Sequence, residues 1–576
     1  MPSPSEIQSA ELFAKIGKDF PRMRVLLVDR HSGARHTLRS ILSTLGFTAI
    51  HNAATTSEVM RQIKGNDFDI ILSDYHLDDG RDGQQLLEEL RQQELISLST
   101  VFMLITAERT YRNVVSVAEL APDDYLIKPF TAEQLQNRLT RALHKKRFFA
   151  RVLRHLDEGA YTDALAACEA LLAQESPFHL DTLRFKGEIL NALGRHEEAQ
   201  AVYQQVLAGA AVPWARMGLA IALRGLGQFA EAETLGVALI EDFPEYLAAY
   251  DFVASVREEQ GKLTDAQALL QQAADISPNN SLRQRLVGEV AARNEDLETA
   301  ERAYSKVLER QRGSTLRVID DYTNLTRVML DRGNVAGARL ITQNLRRDWR
   351  GNPQGELAAL VMDSLCSGQE GEPAKARDAL DKALALHTRL QEENGTDAPD
   401  DVSQKTTVDL AHACLAAGNE AQAQAILGKV AAENHEDRAM IAHIQGVFTK
   451  TGKKDAGQTL LAQVGREIVE LNNRGVLAAR GGDLEASVQM LIEAAERVPN
   501  LQFLVNASKA IFTLLDRKGW DPELGQRGLH YLQLAQGKDP RSPKVLSARE
   551  LYRQIARKYG IDTPGAGAGS KLSSLA

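Results

Sequence analysis

Ile70-Ile71-Leu72-Ser73-Asp74 decides the reading of the first part of the chain: an apolar run leads directly into a carboxylate. A short run without hydrophobic alternation suits a strand buried on both faces, as in a parallel sheet covered by helices. Comparable runs lie on either side of it. Val25-Leu26-Leu27-Val28 precedes it, Val101-Phe102-Met103-Leu104-Ile105 and Tyr125-Leu126-Ile127 follow, and a weaker strand is expected around Phe47 to His51. Helix-like stretches between these runs supply the crossovers that parallel pairing requires. Five strands and five helices in about 125 residues predict an α/β, flavodoxin-like, doubly wound domain with a five-stranded parallel sheet.

Such domains place their sites beyond the carboxyl ends of the strands. Here those ends carry Asp29 and Arg30 after the first strand, Asp74 after the third, Thr106 and Ala107 after the fourth, and Lys128 and Pro129 after the fifth. A carboxylate can attack phosphorus only if the charge on the phosphoryl oxygens is neutralised, which a divalent metal and an ammonium can do together. Asp74 is the candidate nucleophile and Lys128 the candidate ammonium. Thr106 can turn its hydroxyl toward a bound phosphoryl oxygen, vacating space into which the Tyr125 ring can rotate.

Across residues 24 to 146 these motifs resemble the response regulator receiver family. Ile70 to Asp74 is similar to the strand ending in the phosphoacceptor, Ile105-Thr106-Ala107 to the strand ending in the switch hydroxyl, and Tyr125-Leu126-Ile127-Lys128-Pro129-Phe130 to the last signature. The resemblance implies phosphoryl transfer to Asp74 from a sensor histidine kinase or phosphotransfer protein, with Lys128 and Thr106 assisting and Thr106 and Tyr125 as the switch pair. It implies Mg²⁺ held by Asp29, Asp74 and the backbone carbonyl of His76, and it makes Pro129 a candidate cis-proline. Two departures stand out. The second of the family's paired acids is replaced by Arg30, which predicts a weakened Mg²⁺ site. The stretch from Asp74 to Gly83 is one residue longer than the commonest family spacing.

Beyond this region the strand signal disappears and small residues recur at a fixed interval. Ala164, Ala199, Ala232, Ala266 and Ala300 are spaced by 35, 33, 34 and 34 residues, the period of tetratricopeptide repeats. The clearest unit, Leu247 to Asn280, has Gly261 at the inter-helix turn, small residues Ala254 and Ala266 where two helices must approach closely, and Pro278 at the end. The register continues at Gly333 and Ala338, Gly418 and Ala423, and Gly482 and Ser487. The expected organisation is an extension at 1–22, a receiver at 23–146, an all-α repeat solenoid at 147–562 and a disordered tail at 563–576. Thr131 to Lys146 continues without Pro or Gly into Arg147 to Leu156, so a stiff helical junction is expected.

Acids outnumber Lys plus Arg by 77 to 68, a formal charge of −9 that gives no general attraction for nucleic acid. No recognition-helix module follows the receiver, so direct DNA binding is not expected. Cys168, Cys366 and Cys414 read as reduced core residues. Without a secretory signal or a membrane-length apolar run, the expectation is a soluble cytoplasmic protein with no membrane insertion. Gly225-Leu226-Gly227 imitates part of a dinucleotide loop, but it sits at a repeat turn with no preceding strand. No enzymatic constellation emerges from the repeats. The favoured function is a phosphorylation-controlled binding protein whose unknown partner docks on the concave face of the repeats. The alternative, prompted by Arg30, is a degenerate receiver acting as a constitutive scaffold or competitor that modulates a kinase phosphorelay.

Overall fold

The computed structural model describes residues 15–77, 82–106, 122–312, 314, 316–394, 402–540 and 542–561. The apolar runs form strands β1 (Arg24–Val28), β2 (Ala49–Ala53), β3 (Ile70–Asp74), β4 (Val101–Thr106) and β5 (Asp124–Ile127). All pair in parallel in the order β2-β1-β3-β4-β5. Helices α1 (Ser32–Thr44), α2 (Thr56–Ile63), α3 (Gly83–Gln92) and α4 (Ala132–Phe148) flank the sheet. Alternate residues of the same strands build two cores. Leu27, Ile70 and Met103 pack with Leu38 and Leu42 of α1 and Leu135 and Leu139 of α4. Leu26, Ile71 and Phe102 pack with Val59 of α2 and Leu86 and Leu90 of α3. Both sheet faces are therefore covered, which is why the strands read as unbroken apolar runs.

The second strand begins later than the sequence suggested. Phe47 precedes it, and its ring stacks on Phe20 at 4.2 Å, while pairing with β1 starts at Ala49 opposite Arg24. Apolarity thus marked a core contact ahead of the strand. The expected element between β4 and β5, together with Ala107, lies largely outside the described residues, as does the expected C-terminal tail.

From Ala150 to Tyr559 every described element is a helix. Ala164, Ala199, Ala232, Ala266 and Ala300 are all fully buried, as are Ala338 and Ala423. Inter-helix turns place Gly194, Gly227, Gly261, Gly333, Gly418 and Gly482 in the left-handed region, where a Cβ is penalised. Turns at Gly371 and Gly452 follow the same rule; the sequence reading passed over them because insertions break the spacing. One turn departs from it: Glu295 takes φ +61° with its side chain exposed.

Two features shape the array. The last helix, Pro543–Tyr559, returns to the first hairpin, where Arg549 and Arg553 donate to the Glu158 and Gly159 carbonyls and Arg557 pairs with Asp163. Across the middle, Arg327 meets Asp409, Lys405 meets Glu289 and Lys450 meets Asp331. These pairs join first helices two or three repeats apart. At the domain junction, α4 and a helix over Ala150–Asp157 meet at Phe149 rather than forming one rod. The Phe149 ring sits among Phe148, Phe178 and Phe185.

Glu295→Gly should raise the urea midpoint, stabilising the array by about 1 kcal/mol, because glycine takes the left-handed turn without the Cβ penalty. Gly261→Ala should lower it by a similar amount. An unchanged midpoint for both would contradict the turn assignment.

Candidate functional site

Strand order determines which side chains meet. β1 and β3 are neighbours, and the chain leaves them toward opposite sides of the sheet, opening a crevice at their carboxyl ends. Asp29 directly follows β1 and Asp74 ends β3, so both carboxylates enter that crevice, 1% and 8% exposed. β5 carries Lys128 in from the far side of β4. Its ammonium lies 2.6 Å from Asp74 Oδ1 and 3.2 Å from Asp29 Oδ2. The Lys128 N–H donates to the Thr106 carbonyl at 2.7 Å, fixing the loop after β5 to the end of β4. The Lys128-Pro129 peptide is cis.

Burial alone would lower the Lys128 pKa. The hydrogen bond and charge of Asp74, seconded by Asp29, outweigh that cost and hold the Lys128 pKa above its ordinary value. Asp29 is further oriented by the His31 N–H, which donates to Oδ1 at 2.8 Å, while Arg35 donates to the Asp29 carbonyl.

Thr106 is buried at the crevice edge, beside Ile127 in the β4–β5 ladder. Tyr125 lies on β5 opposite Leu104, 37% exposed, with its side chain out toward solvent. His76 lies two residues past Asp74 and bridges to Asp82 across the loop. Residues 78–81 of the longer Asp74-to-Gly83 stretch lie outside the described residues.

Arg30 is exposed, and its Nε donates to His31 Nε2 at 3.1 Å. It therefore removes a carboxylate without placing its own charge between Asp29 and Asp74. Among the described residues no group of three or more His, Cys, Asp and Glu side chains could hold a metal. Two carboxylates nevertheless converge on one ammonium, and Mg²⁺ is commonly bound through one or two carboxylates while keeping several waters. Asp29, Asp74 and the His76 carbonyl are the groups that would hold it.

Sequence reasoning missed Gly83. The N–H of this first residue of α3 donates to the Tyr75 carbonyl at 2.7 Å, and a Cβ on Gly83 would stand 2.5 Å from the Asp74 carbonyl and 3.0 Å from Ser73 Oγ. Only glycine lets α3 seat so closely against the strand end that carries Asp74. The signal was an ordinary-looking glycine at the end of a loop.

The response regulator receiver domain model matches residues 25–140, and the tetratricopeptide repeat model matches residues 149–213, 217–281 and 254–315. Chemotaxis protein CheY-3 of Vibrio cholerae is 30% identical over 123 residues, 21% of this chain and 93% of that protein. Chemotaxis protein CheY of Pseudomonas aeruginosa is 28% identical over 123 residues, 21% of this chain and 98% of that protein. Among solved structures, the C-terminal part of a TPR repeat-containing protein from Cytophaga hutchinsonii is 15% identical, with 42% of this chain and 97% of that one covered and a TM-score of 0.35.

Removing the ammonium leaves two buried carboxylates facing each other. Lys128→Met should destabilise the chain by about 2 kcal/mol at neutral pH. Because its partners hold the Lys128 pKa above the ordinary value, the stabilisation by Lys128 is fully present below the unfolded pKa and is lost as pH rises through the folded one, so the deficit should shrink at strongly alkaline pH. Urea unfolding at neutral pH and at a pH above the ordinary lysine range checks this; a deficit independent of pH would contradict it.

Proposed function

The chain belongs to the response regulator receiver family through residues 25–140, and from that premise we propose a two-component response regulator in which phosphoryl transfer to Asp74 controls the protein contacts of the repeat array. One observation carries this reading: the Lys128 ammonium bridges Asp74 and Asp29 at the sheet's switch point. An Asp74 oxygen attacks the phosphorus of a phosphohistidine on a sensor kinase or phosphotransfer protein. The P–N bond breaks as the P–O bond forms, and the imidazole leaves. Lys128, already charged and aimed, shifts from the carboxylate to a phosphoryl oxygen, placing positive charge where negative charge concentrates. Mg²⁺, when bound by Asp29 and Asp74, supplies further neutralisation of those oxygens. Thr106 turns its hydroxyl to the phosphoryl group, and Tyr125, now outside, moves toward the space it leaves.

The output in this reading is binding rather than catalysis, in the cytoplasm. Tetratricopeptide repeats mediate protein interactions, and the first helices of the pairs line the inner face. First helices of the N-terminal repeats carry exposed apolar groups. Leu180 and Ile221 are exposed there on first helices, and Arg184 lies over the Trp214 ring at 5.9 Å. No described helix is long and apolar enough to cross a membrane.

Arg30 supports the second reading, a receiver that recognises its kinase without being phosphorylated and serves as a constitutive scaffold or competitor. Its outward orientation favours the first. With Mg²⁺ and a small phosphodonor, wild type should be labelled and Asp74→Asn should not, because an amide is a poor nucleophile. Equal labelling of the two would remove Asp74 from its role. Arg30→Asp should tighten Mg²⁺ binding by adding a carboxylate ligand; unchanged or weaker binding would contradict the proposed ligand set.

A further inference from the structure

Helix α3 starts at the phosphoacceptor strand and ends its reach on the repeats. Asp82 caps it: Oδ1 accepts from the Gln85 N–H at 2.8 Å, and the Gln85 side chain returns a bond to the Asp82 N–H. The other carboxylate oxygen, Oδ2, accepts from the Arg310 guanidinium at 2.9 Å, across 228 residues of sequence. Gln85 Nε2 donates to the Arg310 carbonyl at 2.8 Å. One turn further on, Glu88 lies in the field of Arg310 and Arg285. Arg310 ends a second helix of the array, and Arg285 lies on the preceding first helix, where Asp321 holds it.

The other contacts between receiver and repeats lie elsewhere. Asp157 accepts from the Leu98 N–H at 3.0 Å and from Ser97 Oγ at 2.6 Å. Lys145 pairs with Asp181 at 2.7 Å. These lie beside the covalent junction and bridge the two sides of Phe149. The Asp82–Arg310 contact joins the receiver to a repeat far along the chain, so a rotation would break it. Thr106 and Tyr125 take no part in it.

Two observations mark this contact as poised to open. Arg310 Nε is buried with no hydrogen-bond partner, and burial pushes the Glu88 carboxyl up despite the opposing pull of Arg310 and Arg285. An ionic contact with unused donors and a desolvated acid holds little net free energy. A lever is attached to it directly. Gly83 lies against the Asp74 carbonyl without room for a methyl group, and Asp82 is its neighbour. A phosphoryl group also adds roughly 1.5 to 2 negative charges on the strand against which Gly83, the neighbour of the capping Asp82, is seated.

We infer that Asp82, Gln85 and Glu88 latch the receiver onto Arg310 of the repeat array, and that phosphorylation of Asp74 opens this latch by displacing the Gly83 end of α3. The inference rests on Asp74 being the phosphoacceptor. Because coupling between two equilibria is reciprocal, breaking the latch by mutation must favour the phosphoryl-bound state by the same factor.

The test uses the full chain with Mg²⁺ and beryllofluoride as the phosphoryl mimic, comparing wild type, Arg310→Gln and Arg310→Glu, with circular dichroism confirming that each remains folded. Both variants should bind beryllofluoride about fivefold more tightly or better. Asp82→Asn, which keeps a capping side chain while losing the charge, should do the same. In wild type, beryllofluoride should speed amide exchange at residues 82–92 and 303–312 to the level of unliganded Arg310→Glu. If wild type neither binds beryllofluoride nor is labelled by a phosphodonor, the phosphoacceptor reading itself fails. If wild type binds but all three variants bind no more tightly, the latch is uncoupled from the site and this inference alone is overturned.

Discussion

Two carboxylates buried at adjoining strand ends repel each other unless a cation stands between them, and much of the receiver's architecture can be traced to meeting that demand. The order β2-β1-β3-β4-β5 brings Asp29 and Asp74 into one crevice, and the last strand delivers Lys128 to both. Under the proposed function, the same ammonium that satisfies the resting site is the charge that phosphoryl transfer to Asp74 would need. Stability and reactivity therefore draw on one ion pair, and any group added to Asp74 must compete for Lys128 and so disturb the ground state.

The repeat array answers a different constraint. A helix pair cannot bury its apolar face alone, so each hairpin leans on the next through small residues at the closest approach. Ala199, Ala232 and Ala266 have no exposed surface, and Gly187 and Gly218 leave room on either side of the buried Tyr203 ring, where a Cβ would clash. The array then turns far enough for Arg549 and Arg553 to reach the carbonyls beside the first hairpin. With its last helix fastened to its first repeats, a solenoid of this kind transmits rotation at its receiver end as a rigid body more readily than as local melting.

Much of this was legible in the residues. Parallel strands buried on both faces leave unbroken apolar runs, and four such runs each led into a residue of the site. The alanine period identified the repeats because inter-helix packing tolerates little else at those positions. Phe47 misled because apolarity marks burial and not strand pairing. The hairpins at Gly371 and Gly452 were missed because insertions hide a period while leaving the turn chemistry intact. Arg30 could be seen to remove a ligand, but not to turn aside toward His31. Asp82 and Arg310 were illegible as a pair: a capping aspartate and a helix-end arginine are ordinary in isolation, and only the fold brings them together.

The central claim is that chemistry at Asp74 changes how the receiver sits against an intact repeat array. Small-angle scattering of the full chain with Mg²⁺, with and without beryllofluoride, tests it most directly when far-UV circular dichroism is recorded on the same samples. The account predicts different scattering profiles with unchanged helical signal. Coincident profiles, with beryllofluoride demonstrably bound, would contradict it.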